Sequence, residues 1–384
     1  MLVSRRDVVG GAAAAGVAAL SAGRAGAAAA TRPMVSSIAL EAGRVWMACR
    51  IGQSRPLLFI VDTGASHSMI RNDIAHELRM NNIGEGTHGG IGGIRNTPWY
   101  KAPDVLLGSG VRFPAMLFSG TQVRFGENAA GAFGAGLFTT YDSDLDFVKG
   151  EWRVYPAGRA DRDGWMELPS RFEKSDAGQR IFARASVDGF FGDFLLDTGA
   201  PGEMLLGGRA AKRSGLWSDD RPYAPSESRG IGPDVVPTRL VRGERLRIGH
   251  LVFERPLVAL SKPGSSWHEQ DGLIGLSILR RLHLSTEVAR GRIWAIPNGL
   301  ADKPRRYPLS GLWLDRDGDR ITLGDVGTGS PAAGAGLKPG DAVVGANWRA
   351  TLVALNGPAG TRVPLTVERD GRRRDVVLVL ADYL

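Results

Sequence analysis

The sequence predicts a mostly β protein in which one lobe is built twice and a smaller β-rich module follows. Two observations carry that expectation. Short runs of Val, Ile, Leu and Phe recur along the chain, bounded by Gly and Pro, as strands bounded by turns would be. The sequence also repeats itself. FIVDTGASHSMI (59–70) is answered by FLLDTGAPGEML (194–205), with the two Asp-Thr-Gly triplets 135 residues apart (197 − 62). Three further blocks follow in the same order. GGIGGIR (89–95) is matched by RGIGPD (229–234), and VRFPAMLF (111–118) by LVFERPLVAL (251–260). GAFGAGLFTTYDSDLDFVKGEWRVYP (131–156) is matched by DGLIGLSILRRLHLSTEVARGRIWAIP (271–297). Chance likeness between Gly-rich loops would not preserve the order of four blocks, so a duplicated unit is expected.

Residues 1–30 stand apart from the repeat. Arg5 and Arg6 precede an Ala/Gly/Val stretch that ends in small residues, the layout of an export signal, with Ser4-Arg5-Arg6 resembling the twin-arginine type. An exported, periplasmic or secreted protein is the expectation. Lobe 1 is expected over 35–158 and lobe 2 over 159–300, with the polar stretch GRADRDGW (158–165) as connection. Brief helices are expected at 71–78, 208–215 and 276–282. The last unit, 305–384, combines alternating strands, an Arg-Asp-Gly turn and a short Ala-rich helix. Length alone, at 384 residues, calls for two or three such units.

Composition narrows the function classes. Apolar residues make up 43% of the sequence, enough for large cores, and no stretch after the N-terminus offers the run of about 18 apolar residues that a membrane-spanning helix needs. The net charge of +8 is spread through mixed acidic and basic residues with no basic, aromatic-interleaved run, so nucleic acid is not expected as a partner. Cys49 is the single cysteine, which excludes an intramolecular disulfide. Six histidines are scattered without metal-ligand spacing, and neither a metal nor a cofactor is expected. Asp315 to Asp319 hints at a calcium loop, but its twelfth position is Val326 rather than Glu, so a hairpin turn is the better reading. The acidic run Asp142, Asp144, Asp146 is expected at a sheet edge with solvated carboxylates.

The chemistry follows from the repeat. A carboxylate at a strand-to-turn junction can serve as general acid or base. Two of them, one from each similar half, can meet at a pseudo-twofold axis. Like charges that close cannot both ionise easily, so one proton is shared and one carboxyl is acid while the other is base. Such a pair can activate water against an amide carbonyl.

The paired DTGA motifs, each after an apolar strand, resemble those of the aspartic peptidases, and DTGASHSMI is similar to the retroviral proteases, which are homodimers of one-motif subunits. The resemblance covers about residues 36–299. It implies two retropepsin-like, acid-protease β-barrel lobes related by pseudo-twofold symmetry in one monomeric polypeptide, acting as an endopeptidase on peptide or protein substrates. By position, Asp62 and Asp197 would be the catalytic dyad, with Thr63 and Thr198 bracing the two loops. Gly64 and Gly199 would allow the tight turns, and Gly134 and Gly275 would close apolar-apolar-Gly elements beneath them. Gly89, Gly90, Gly92, Gly93, Gly230 and Gly232 stand where that family carries substrate-covering flaps. The sequence departs from the family after each DTGA, reading Ser66-His67 and Pro201-Gly202 where retroviral enzymes carry substrate-holding acids. Ala65 and Ala200 also lack the hydroxyl of pepsin-like enzymes, so milder working pH is expected. GSPAAGAGLKPGD (329–341) with its flanks resembles a bacterial, permuted PDZ domain. That resemblance implies a carboxylate-binding loop at Gly311, Leu312, Trp313 and Leu314 and recognition of the C-termini of peptides or proteins. After Gly345 the family's hairpin turn is shortened to Ala346-Asn347-Trp348. Two rivals stay open: a non-catalytic peptide-binding protein on the same scaffold, and an enzyme that processes only itself.

Overall fold

The computed structural model describes residues 32–175, 178–265, 271–301 and 307–384. The stretch read as an export signal lies outside the described residues. No helix among them is long and apolar enough to cross a membrane.

The apolar run before each Asp-Thr-Gly forms a strand whose inward-facing side chains are fully covered. Leu57–Val61 pairs antiparallel with Arg44–Ile51 and parallel with Ala129–Phe133, setting Ile60 against Ala132 and Val61 against Phe133. Phe190–Asp197 repeats the arrangement, antiparallel to Gly178–Val187 and parallel to Gly272–Gly275, with Leu196 against Ile274 and Asp197 against Gly275. A strand flanked by a parallel neighbour and packed on both faces needs a near-continuous apolar run. Phe59 stacks on Phe133 at 4.6 Å between ring centroids, and Phe118 closes on Phe59 at 5.8 Å. Phe194, Leu196 and Ile274 hold the corresponding place in lobe 2, each almost fully buried. Cys49 is buried in the lobe 1 core, and burial pushes its thiol up to about 12. The brief helices expected from the sequence form at Asn72–Glu77, Gly208–Arg213 and Leu276–Leu279.

The lobes share a sheet. Asp142–Asp146 of lobe 1 pairs antiparallel with Leu282–Glu287 of lobe 2, placing Leu145 opposite Leu284 and Asp144 opposite Ser285. Laying Gly275 on Gly134 gives an offset of 141 (275 − 134), and 285 − 144 is also 141, so the Asp144/Ser285 pair sits on the pseudo-twofold axis. This corrects the expectation of solvated carboxylates on that strand. Asp144 and Asp146 are buried, because the strand is the seam between the lobes rather than an edge. Arginines from the connecting segment neutralise the seam. Arg162 Nη2 donates to Asp142 at 2.9 Å, and Arg159 pairs with Asp144 at 3.2 Å. Tyr155 also donates to Asp144, at 2.8 Å, and Arg153 donates to Asp146 at 2.8 Å. Buried carboxylates persist only when paired this way.

The C-terminal unit forms a separate sheet of Leu312–Asp317, Arg320–Val326, Ala342–Val344, Arg362–Arg369 and Arg372–Val379, in that order. Asp315 to Asp319 does turn a hairpin, between the first two strands. After Gly345 the backbone enters a helix, Trp348–Leu355, in place of the shortened turn expected there. Asn347 caps it, its side chain accepting from Ala350 N at 3.1 Å, so Ala346-Asn347-Trp348 is a helix start. The unit packs on lobe 2 through tyrosines. Tyr223 donates to Asp325 at 2.9 Å, Tyr383 donates to the Tyr223 carbonyl at 3.1 Å, and Tyr307 accepts from the backbone of Tyr383 and Leu384.

Candidate active site

Both Asp-Thr-Gly loops arrive at the seam from opposite sides. They are locked by a symmetric set of four hydrogen bonds. Thr63 N donates to Thr198 Oγ1 at 3.1 Å and Thr198 N to Thr63 Oγ1 at 3.0 Å. Each hydroxyl in turn donates to a carbonyl of the other lobe, Thr63 to Leu196 O and Thr198 to Val61 O, both at 2.7 Å. Both threonines are buried, so no water competes for these groups.

Above this lock, the side chains of Asp62 and Asp197 lie within hydrogen-bonding reach of one another. Asp62 Oδ1 accepts from Gly64 N at 3.1 Å and Ala65 N at 3.0 Å. Asp197 Oδ1 accepts from Gly199 N at 2.7 Å and Ala200 N at 3.1 Å. Glycine is required beside each. A methyl group on Gly64 would lie inside the Asp197 carboxyl, and one on Gly199 inside that of Asp62. Gly134 and Gly275 sit directly beneath the loops. Ala135 N donates to Ala65 O at 2.9 Å, and Leu276 N to Ala200 O at 2.7 Å.

The electrostatics raise both carboxyls and separate them. Burial pushes Asp62 above the ordinary carboxylate range, opposed by the Ala65 N–H and by the Arg44 guanidinium. Burial raises Asp197 further, and the neighbouring Asp62 charge adds to the effect. Arg44 belongs to lobe 1 yet donates to Gly199 O in the loop of lobe 2. The pair therefore holds one proton between them, with burial and the Asp62 charge favouring the Asp197 side. The arrangement has the elements of an acid–base pair: one carboxylate, one carboxylic acid, and a cation biasing which is which.

The Gly-rich segments close over this pair. The first is a β-ribbon, Asn81–Gly90 paired with Gly93–Leu107, ladder-bonded up to Gly90 opposite Gly93. The second is the hairpin Ala224–Ser228 and Val236–Arg242, which stops at Ser228 opposite Val236 and leaves 229–235 as a loop. Their tips touch. Gly232 N donates to Ile91 O at 3.1 Å, and Asp234 N to Gly92 O at 3.0 Å. Ile91, from lobe 1, packs on the lobe 2 cluster of Leu195, Leu205 and Leu273, whereas Ile231, from lobe 2, packs on Ile60, Met69 and Ala132 of lobe 1. A cleft of about 140 Å³ is left between the tips and the two carboxyls. Of the flap glycines named from the sequence, Gly90, Gly92, Gly230 and Gly232 stand at this contact. Gly89 and Gly93 flank the first tip.

The C-terminal residues singled out lie elsewhere. Gly311, at φ +71, precedes the edge strand of the third sheet, Leu312–Asp317, which lies against Ala224–Ser228 of lobe 2. Leu312 pairs with Val326, Trp313 with Asp325 and Leu314 with Leu323, with a register irregularity between the last two pairs. That unit packs on Ala224–Ser228, the strand that leads into the second flap, and its Tyr307, Leu309, Tyr383 and Leu384 join the apolar cluster that holds Leu195, Leu273 and Ile91 at the cleft wall.

Of the side chains that face the dyad or its cleft, His67 stands at a position singled out after the first DTGA, whereas Arg44, His88 and Arg180 escape a reading of the sequence. No spacing signal marks those three, because each comes into place through strand pairing across tens of residues. Among the described residues no group of three or more His, Cys, Asp or Glu is placed to hold a metal ion.

Residues 47–124 and 183–278 match the profile of a family described as aspartyl protease, one segment in each lobe. No curated protein matches. Solved structures that are similar include an aspartic proteinase from Irpex lacteus, at 13% identity and a TM-score of 0.45, covering 70% of this protein and 98% of that one. Basic 7S globulin from soybean matches at 11% identity and 0.40, covering 69% and 95%. Conglutin gamma from lupine seeds matches at 10% and 0.43, covering 70% and 95%.

Proposed function

We propose that this protein is an aspartic endopeptidase that hydrolyses peptide bonds with Asp62 as general base and Asp197 as general acid. The observation that carries the reading is the pair of raised, mutually hydrogen-bonded carboxyls at the lobe axis, under two flaps that meet above them. Asp62, kept charged by Arg44 and the loop N–H groups, takes a proton from water as its oxygen attacks the amide carbon. Asp197 gives its proton to the carbonyl oxygen, forming a neutral tetrahedral diol. As the C–N bond breaks, the nitrogen takes a proton from the dyad and the diol oxygen returns one, so the pair ends as it began. The flaps must part to admit a peptide, then close to exclude bulk water. The closed tips, held by two backbone hydrogen bonds, suit such a gate.

The C-terminal unit is proposed as a PDZ-like module for peptides or the C-termini of proteins, using Gly311 to Leu314 and the sheet edge beside them. The protein is proposed to work as an exported monomer, on the strength of its N-terminal sequence and its two-lobed, self-contained site.

The test is hydrolysis of unfolded casein by wild type, Asp62→Asn and Asp197→Asn, with and without a statine-type inhibitor. Cleavage by wild type alone, blocked by the inhibitor, supports the proposal. If none of the three proteins cuts between pH 3 and 8 while unfolded polypeptides still bind, the scaffold is a peptide binder and the proposal fails.

A further inference from the structure

The two ends of the cleft differ. On the lobe 2 side its wall combines Leu195, Leu273 and the flap residue Ile91 with Arg180, whose guanidinium pairs with Glu173 at 3.2 Å. On the lobe 1 side Ser66, His67, His88 and Ser119 line it beside Met69 and the tip residue Ile231. His88 projects from the first flap, where its backbone pairs with Arg95. Its side chain is only 8% exposed, and Nε2 makes no hydrogen bond among the described residues. His67 stands in the Asp62 loop, its Nδ1 3.0 Å from Ser66 Oγ. The two imidazoles meet edge to face at 5.0 Å between centroids, and Trp99 backs both, at 4.9 Å and 5.1 Å. Lobe 2 does not repeat the pair. Laying Ile231 on Ile91 (231 − 91 = 140) puts Ser228 at the place of His88, and the 135-residue offset of the Asp loops puts Gly202 at the place of His67.

A buried polar atom without a partner is uncommon in a folded protein and calls for one. His88 lines the cleft, so a bound ligand is placed to supply that partner. We propose that His67 and His88 form a polar side-chain subsite at the lobe 1 end of the cleft, selecting a substrate residue that ends in a neutral amide, glutamine or asparagine. The inference rests on the reading that the cleft takes a peptide. An amide carries both a donor and an acceptor, so it satisfies Nε2 in either tautomer of a neutral imidazole. Burial lowers the His88 pKa, which favours the uncharged ring. A carboxylate would instead bring a second negative charge toward Asp62, and the cation lining the cleft, Arg180, stands on the lobe 2 side and already pairs with Glu173. An aliphatic side chain would seal Nε2 off unpaired, and sites built to hydrogen-bond reject analogues that cannot.

The experiment uses the full-length protein and uncleavable statine peptides that differ in one side chain, Gln or Leu, with that residue moved through the positions flanking the statine. Calorimetry gives the Kd ratio for wild type, His88→Phe and His88→Gln. At one position the Gln peptide is expected to bind wild type at least about 10-fold tighter than the Leu peptide. The ratio is expected to fall to one or below in His88→Phe and to persist in His88→Gln, which keeps a hydrogen-bonding end. His67→Phe serves as the second variant if His88→Phe does not fold. Equal ratios in wild type and the Phe variant, a Leu preference at every position, or no binding at all each overturn the proposal. Hydrolysis of the corresponding all-peptide substrates is followed in parallel. Cleavage without amide selectivity removes the subsite alone. Amide-selective binding without cleavage removes the peptidase reading and leaves the subsite standing.

Discussion

The two flaps arrive at the same contact by different constructions. The first is a long β-ribbon laddered to its tip, and His88 and Trp99 tie its stem to the Asp62 loop. The second has a short ladder, an irregular tip over 229–235, and a stem strand braced from behind by the C-terminal unit. The loop N–H groups of the second flap donate to carbonyls of the first. Duplication thus preserved the meeting point while the supports diverged, one drawing on its own lobe and the other on an added module. Beneath the flaps the opposite holds, for the Thr63/Thr198 lock is symmetric bond for bond. Chemistry at the axis needs both halves alike, and access to it does not.

The largest effect expected from breaking the symmetric layer is on turnover. Asp62→Asn or Asp197→Asn should each lower kcat by about 10²–10⁴-fold in a peptide hydrolysis assay, as loss of a general acid or base does. The same substitutions should stabilise the fold. Both carboxyls have folded-state pKa values raised above their unfolded ones, chiefly by burial. Their contribution to stability is therefore complete below the unfolded value and is lost as pH rises through the folded one. Asp197→Asn should accordingly leave Tm nearly unchanged at about pH 3.5 and raise it at about pH 7, with Asp62→Asn showing the smaller gain. An equal Tm shift at both pH values would sink this assignment.

Next in size, Thr63→Val and Thr198→Val each strand buried groups of the opposite lobe, at a cost of about 1–3 kcal/mol per unsatisfied group. Because the lock is symmetric, the two variants should lose similar amounts in denaturant melts. A large disparity would show that one lobe carries the axis.

At the flaps the effects should be smaller and unequal. A methyl group on Gly232 would overlap the Gly92–Gly93 backbone, so Gly232→Ala should hold the tips apart and raise KM more than it lowers kcat. Gly89, one step from the contact, meets nothing closer than Ile94 at 3.9 Å, and Gly89→Ala should leave both constants near wild type.

The smallest expected effect lies at the module. Tyr383→Phe removes one hydrogen bond to the Tyr223 carbonyl, worth about 1 kcal/mol. Hydrogen exchange should quicken over 224–235 and stay unchanged over 81–107. Uniform change in both flaps would contradict the view that only the second leans on the module.

Much of the fold is legible in the sequence because the repeat is recorded in ordered blocks, and each block is local. The apolar run, the Asp-Thr-Gly turn and the Gly-rich tips keep their meaning wherever the fold places them. Features of the axis itself are harder to read. Asp142, Asp144 and Asp146 alternate as solvent-facing residues would, and only the pairing of two lobes turns that strand into a buried seam. Arg44 lies 18 positions before Asp62 (62 − 44) and reaches Gly199 through the other lobe, a contact no local pattern encodes. His67 and His88 are separated by a helix and half a ribbon, and their meeting depends on the ribbon folding back over the loop. Trp348–Leu355 is obscured for a local reason, since Asn347 suits a turn as well as it suits a helix cap.

The central claim is that Asp62 and Asp197 act as one unit sharing a proton across the lobe axis. The pH dependence of kcat/KM for a casein-derived peptide, between pH 3 and 8, tests it most directly. A bell with both limbs above the ordinary carboxylate value of 3.8 is expected, the two limbs belonging to the coupled pair. A maximum only in strong acid, or a single inflection that survives in the residual activity of Asp197→Asn, would contradict it.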